Sequence, residues 1–268
     1  MKNKLIFGTM MKHEKTTSAI LKALEVGYRN FDLAQIYGNQ KLIGEAFNQW
    51  FKTNKREEIF IQSKVWTKDI DKNDTVNAVN KILEEVNIDY LDSILLHRPS
   101  LNLENDLQAW KELIKLKEKG IVKQIGVSNY EKDQIIYLWK STGVKPEINQ
   151  IEFSPINQRY DRITFATEND IEVQGYTIVA QVFNDHNVID IAKKQNTSIV
   201  GICKSFALEM QISPIISSSN SDHITSNFND PIVKLNEQDL NYLKSINIYK
   251  NKFSEMYPIA LLDEYYQK

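Results

Sequence analysis

Short apolar runs alternate with longer amphipathic stretches along the whole chain. Eight runs read as strands: LIFGTM (5–10), YRNFDLA (28–34), IFIQSKV (59–65), LDSILLH (91–97), QIGVSN (124–129), EINQIEF (147–153), EVQGYT (172–177) and SPIISSS (213–219). Several are rich in Ile, Leu, Val or Phe, as strands buried on both faces should be. Between them lie helical patterns. TTSAILKALEVG (16–27) spaces its apolar residues for one helix face and ends on Gly27, which suits a left-handed C-cap. QKLIGEAFNQWF (40–51) follows the second strand. NDTVNAVNKILEEVNI (73–88) sets Val76, Val79, Ile82, Leu83 and Val86 on one stripe. ENDLQAWKELIKLKEKG (104–120) and KDQIIYLWKSTG (132–143) end on Gly120 and Gly143, and NEQDLNYLKSINIY (236–249) reads as a further helix. Such alternation implies a parallel sheet with right-handed crossovers. Eight units predict one (β/α)8 TIM barrel over residues 1–268. The rival, an open doubly wound sheet, would carry a G-x-G-x-x-G after a strand, and the chain has none.

Composition narrows the function classes. The 268 residues are 42% hydrophobic and 25% charged, with no low-complexity linker. A net charge of −2 supplies no field for nucleic acid or an acidic membrane. No run approaches the ~20 apolar residues of a membrane span, and MKNKLIFGTM lacks the apolar core of a signal peptide. One cysteine, Cys203, cannot form an internal disulfide, and the histidines at 13, 97, 186 and 223 lack metal-ligand spacing. The expectation is a monomeric cytoplasmic protein acting on small molecules, without a metal.

In a barrel the C-terminal strand ends form the active rim. Asp32 ends the second strand, Lys64 nearly ends the third, His97 ends the fourth, and Tyr37 follows Asp32 in the loop. Taken singly, each has an ordinary reading: a capping carboxylate, a packed aromatic, a core histidine. A lysine between apolar residues is costly unless paired. Together the four groups suit carbonyl reduction, in which oxygen gains charge as hydride reaches carbon. A phenol near pKa ~10 is a sluggish acid at neutral pH. A nearby ammonium, Lys64, would favour the phenolate, Asp32 would hold Lys64 charged, and a neutral His97 would orient the substrate oxygen.

GYRNFDLAQIYGNQKLIGEAF, REEIFIQSKVW, IDYLDSILLHRP, KGIVKQIGVSNY and INQIEFSPINQ, in this order and spacing, resemble the aldo-keto reductase superfamily. The resemblance implies an NAD(P)H-dependent reductase of aldehydes or ketones, with Tyr37 as the acid and Asp32, Lys64 and His97 in the roles above. It implies that Ser128, Asn129 and Gln150 bind the nicotinamide carboxamide. Tyr176 would stack on the nicotinamide ring, and Gly8, Thr9 and Met10 would lie beside the cofactor. Trp66 and Arg98 would line the substrate pocket, with Arg98 favouring a polar or anionic substrate.

The chain departs from the family's pattern in two loops. YTIVAQ, with Thr177 and Ile178, stands where the family has a Ser-Pro-Leu-Gly loop at the pyrophosphate. NADP-preferring members clamp the 2′-phosphate with cations where this chain has Ser217, Ser218, Ser219 and His223, a weaker set for a phosphate. Asn227 matches the adenine position, and Ser221 or Asp222 reads as the N-cap of the helix there. NADPH is the expected cofactor, with NADH the alternative. A shortened N-terminal hairpin and a short aromatic tail, MYPIALLDEYY (256–266), complete the expectation. Two other readings stay open: a nicotinamide-binding regulatory subunit with little turnover, and a barrel enzyme whose Lys64 forms a Schiff base.

Overall fold

The computed structural model of the protein describes residues 4–248. Eight parallel strands close in chain order into a barrel. They are β1 (Ile6–Gly8), β2 (Asn30–Asp32), β3 (Phe60–Val65), β4 (Leu91–Leu96), β5 (Val122–Ser128), β6 (Ile148–Glu152), β7 (Glu172–Tyr176) and β8 (Ile212–Ile216). The seam pairs β1 with β8, Ile6 opposite Ile215 and Phe7 opposite Ile216. All eight expected strands are present, so the predicted (β/α)8 barrel is the observed fold. Several are shorter than the apolar runs. In β2 the strand proper ends at Asp32, although the Leu33 N–H still donates to the Gln62 carbonyl of β3 (2.8 Å).

The connecting helices are α1 (His13–Val26), α2 (Gln40–Phe51), α3 (Thr67–Asp71), α4 (Thr75–Val86), α5 (Leu103–Glu118), α6 (Lys132–Thr142), α7 (Tyr160–Glu168), α8 (His186–Lys194), α9 (Ile199–Glu209), α10 (Ser221–Asn229) and α11 (Glu237–Ser245). Gly27 and Gly143 end α1 and α6 in the left-handed conformation, at φ 115° and 74°. Gly120, one residue past the end of α5, has φ 73°. The aromatic tail at 256–266 lies outside the described residues. Among the described residues no helix is long and apolar enough to cross a membrane.

Four helices escaped the sequence reading: the five-residue α3, and α7, α8 and α9. α7 and α8 have nine residues each, and α9 is apolar on most of its circumference. Seven of the eleven α9 residues are buried, including Lys204 and Ser205, so it lacks the polar face that marks a helix stripe. Side chains that cap N-termini nonetheless flank two of them. Asp185 accepts from the N–H groups of Asn187 and Val188, and Ser198 from that of Gly201.

Alternation along the strands separates two cores. Phe31, Ile61, Val65, Ile94 and Leu96 face the helices and pack with Phe47, Val79, Ile82 and Trp110. Gln62 and Lys64 alternate with them on β3 and point into the barrel, where Gln62 reaches Gln174 of β7. The interior is therefore polar in its middle layer, directly beneath the rim.

Candidate active site

Asp32 ends β2 and is almost wholly buried. One carboxylate oxygen accepts from Lys64 Nζ at 2.7 Å. The other accepts from Gln62 Nε2 at 2.8 Å and Gln150 Nε2 at 2.9 Å. Three donors on two oxygens supply the partners that a buried carboxylate requires. Lys64, fully buried, donates also to the Leu33 carbonyl at 2.8 Å. Burial pulls its pKa down and Asp32 pushes back.

Tyr37 closes a single helical turn, Gln35–Tyr37, that ends on Gly38 at φ 68°. Three side-chain contacts pin this loop. Gln35 Nε2 donates to Asp69 Oδ2 (2.5 Å), Gln35 Oε1 accepts from the Trp66 N–H (3.0 Å), and Asn39 Nδ2 donates to the Thr9 carbonyl (2.8 Å). The turn places the Tyr37 ring centroid 5.4 Å from Lys64 Nζ. The His97 ring stands across it at 6.0 Å, nearly perpendicular. His97 follows β4, with its N–H on the Val65 carbonyl and its ring edge-on to Trp66 at 5.0 Å. Burial, then Lys64 and Arg98, hold its pKa well below the ordinary imidazole value, so it is neutral at pH 7. Its Nδ1 is buried without a hydrogen-bond partner.

These groups open onto a cavity of about 660 Å3. Asp32, Tyr37, His97 and Arg98 line one end. Gly8 at the end of β1 and Thr9 and Met10 just after it line its wall, as do Asn129, Gln150 and Tyr176. Thr177 and Ile178 follow β7, and Ser217, Ser218, His223 and Asn227 line the end formed by β8 and α10. Four expected residues do not line it. Lys64 lies beneath the rim, bonded to Asp32. Trp66 packs on His97. Ser128 is turned to the Gln150 carbonyl (2.9 Å), and Ser219 is exposed but not in the cavity wall. Gln150 lines the cavity, but its amide nitrogen is shared between Asp32 and Gln174.

Asn129, at φ 66°, sends its amide back to the His97 carbonyl (3.0 Å) and its Oδ1 accepts from the Tyr176 hydroxyl (2.7 Å). That bond fixes the ring against the cavity, and burial pushes the Tyr176 phenol pKa up. The loop after β7 takes a defined shape despite its departure from the family pattern. Thr177 sits at φ 59°, strained for a β-branched residue, with its carbonyl accepting from the Ala180 N–H (2.8 Å). Ile178 is buried behind it. The N-cap of α10 is Asn220, whose Oδ1 accepts from Asp222 and His223; the expected caps Ser221 and Asp222 lie one and two residues inside the helix. Val179, Phe183, Ser198 and Asp230 also line the cavity and were not foreseen. Their places depend on how 177–185 and α9–α10 pack, which strand ends do not reveal. Among the described residues no cluster of His, Cys, Asp or Glu could hold a metal ion.

A family model, that of the aldo/keto reductase family, matches residues 4–188. Methylglyoxal reductase DkgA of Escherichia coli O157:H7 is 31% identical over 239 residues, which cover 88% of this chain and 86% of that protein. The 9,11-endoperoxide prostaglandin H2 reductase of Trypanosoma cruzi is 30% identical, over 87% of this chain and 83% of its own. The crystal structure of an aldo/keto reductase from Brucella melitensis superposes with a TM-score of 0.87 at 31% identity, over 91% of this chain and 94% of that one. By sequence and by fold, the chain belongs to the aldo/keto reductase family, and it is a carbonyl-reducing oxidoreductase.

Proposed function

We propose that the protein reduces small aldehydes or ketones with a nicotinamide dinucleotide, and that Tyr37 gives the proton to the carbonyl oxygen. One observation carries the reading: a fully buried ammonium, Lys64, lies 2.7 Å from Asp32 and 5.4 Å from the Tyr37 ring centroid. A cation at that range favours the phenolate and makes the phenol a stronger acid. Asp32 keeps the cation in place and charged. Neutral His97 offers a ring nitrogen to the same oxygen, and Arg98 at the same end of the cavity favours a polar or anionic substituent. The chain's relation to a methylglyoxal reductase supports a small carbonyl substrate.

The residues fit a dinucleotide. The cavity, of about 660 Å3, is large enough, and its lining includes Tyr37, the aromatic ring of Tyr176 and the amide-bearing Asn129 and Gln150. Tyr176, Asn129 and Gln150 would hold the nicotinamide; Ser217, Ser218, His223 and Asn227 would hold the adenosine half. When bound, NADPH or NADH supplies the hydride. The Schiff-base role for Lys64 is disfavoured, because its nitrogen is committed to Asp32 and Leu33 and does not line the cavity. The tetrad geometry likewise favours an enzyme over a regulatory subunit. We extend the reading to a monomer in the cytoplasm, consistent with a single buried cysteine whose thiol pKa burial pushes up to about 12.

Tyr37→Phe tests the reading. It is expected to lower kcat for a reactive aldehyde by about 10²–10⁴-fold, the usual share of a general acid, while the dinucleotide dissociation constant stays within about twofold. Full turnover in the variant removes Tyr37 from the mechanism.

A further inference from the structure

We infer that the far end of the cavity is built for the 2′-hydroxyl of an unmodified adenosine ribose, with Asp230 selecting it, so that NADH binds in preference to NADPH. The inference rests on the dinucleotide reading above. A hydride donor must place its nicotinamide beside Tyr37, and its adenosine half then lies where β8, α9 and α10 meet. The side chains lining that end include Ser198, Ser217, Ser218, His223, Asn227 and Asp230. Asp230 supplies the formal charge among them, and it is negative. Among the described residues no lysine or arginine lines this end; Arg98 lines the cavity beside His97, at the catalytic end.

Two contacts hold Asp230 in place, one on its carboxylate and one on its backbone. Its Oδ2 accepts from the Ser198 hydroxyl, and Ser198 in turn caps α9 by accepting from the Gly201 N–H at 3.1 Å. Its backbone carbonyl accepts from Lys204 Nζ at 2.8 Å. Lys204 is the cation nearest this end, but it is already engaged. It is fully buried in α9, its ammonium donates to the carbonyls of Asn227 and Asp230, and it does not line the cavity. Its attraction for the Asp230 carboxylate is the Coulombic contribution that opposes its own desolvation.

The chemistry then separates two ligands that differ in one group. A ribose hydroxyl donates to a carboxylate, the pairing by which dinucleotide sites recognise the 2′-position of NAD. A 2′-phosphate carries nearly two negative charges at pH 7 and only acceptor oxygens, so Asp230 repels it, and among the described residues no lysine or arginine lining this end can donate to it; Lys204 spends its ammonium on two backbone carbonyls. Hydroxyls of Ser217 and Ser218 hydrogen-bond either form and do not decide between them.

Equilibrium titration of the intrinsic tryptophan fluorescence with NADH and with NADPH reads this directly, without turnover. The expected result is NADH binding tighter by about tenfold or more, the size of one hydrogen bond to a charged group. Asp230→Asn is expected to narrow the ratio to about threefold or less, chiefly by improving NADPH. Ser218→Arg is expected to improve NADPH without weakening NADH by more than about twofold. Equal or tighter NADPH binding by the unaltered protein overturns the inference while leaving the reductase reading intact. An unchanged ratio in a folded Asp230→Asn protein removes Asp230 as the selector. Binding of neither dinucleotide overturns the reductase reading and this inference with it.

Discussion

Asp32 depends on Gln62 as well as on Lys64. Gln62 Nε2 donates to Asp32 and to Gln174 Oε1 at 2.7 Å, and Gln174 returns a bond at 3.2 Å. Gln62→Met removes a donor from a buried carboxylate and leaves the Gln174 amide nitrogen only a long contact to Glu172 Oε1 at 3.5 Å, a loss of about 1–3 kcal/mol. The expected outcome is a lower unfolding midpoint and a kcat reduced about tenfold, with dinucleotide affinity unchanged. His97 gives a prediction in pH. The unfolded chain takes up a proton near the ordinary value of 6.5, whereas the folded ring stays neutral. The unfolded state then binds more protons below that pH, so stability falls as the medium becomes more acid. Asp106 contributes with the opposite sign in this range, so the readout is the difference in thermal midpoint between the unaltered protein and His97→Asn, which should fall as pH drops from 8 to 5. The strand-end positions of Asp32, Lys64 and His97 were legible in the sequence because alternation and strand length locate a rim. Gln62 was not, since a glutamine inside a strand has no signature until its partner across the barrel is known.

At the scale of elements, α2 and α4 meet at a glycine. A methyl group on Gly44 would lie 2.6 Å from the Val86 carbonyl oxygen and 2.8 Å from that of Glu85. Helix propensity alone would make Gly44→Ala stabilising by about 1 kcal/mol. Backbone cannot yield as a flexible side chain can, so overpacking reverses the sign, and a loss of about 1–3 kcal/mol is expected in denaturant unfolding. The first turn of α5 carries a second test. Asp106 is fully buried, accepts from the Tyr130 hydroxyl (2.5 Å) and from the Ser100 N–H, and burial raises its carboxyl pKa from 3.8 to about 7. The folded state therefore holds a proton that the unfolded state releases, and Asp106 subtracts stability as pH climbs from about 4 to 7. Asp106→Asn should gain on the unaltered protein across that window and level off above it, which paired melts will reveal. Amphipathic α1, α2, α4, α5 and α6 were readable from their stripes. α9 was not, because a helix wrapped on most sides by protein loses the polar face that announces it.

For the whole molecule, binding and stability are linked. A ligand that binds only the folded chain, present at 100 times its dissociation constant, adds about 2.7 kcal/mol. Saturating dinucleotide should raise the melting midpoint by about 5 °C or more in a thermal-shift measurement, and a protein that melts unchanged lacks the site. The barrel was legible as eight alternating units, since each strand is a short-range feature. The proposed adenosine end was only half legible: Ser217, Ser218, His223, Asn227 and Asp230 sit on one continuous stretch, whereas Ser198 joins them from the start of α9 through its hydrogen bond to Asp230. The seam between Phe7 and Ile216 has a consequence for biosynthesis. Residues 6–8 leave the ribosome about 200 residues before their partners on β8. Until then β1 carries an unpaired edge, and the wall to which Gly8 and Ser217 both contribute does not exist. A nascent chain stalled short of Ile212 is expected to be unable to retain a dinucleotide, so capture of this ligand reports that translation has passed the final strand.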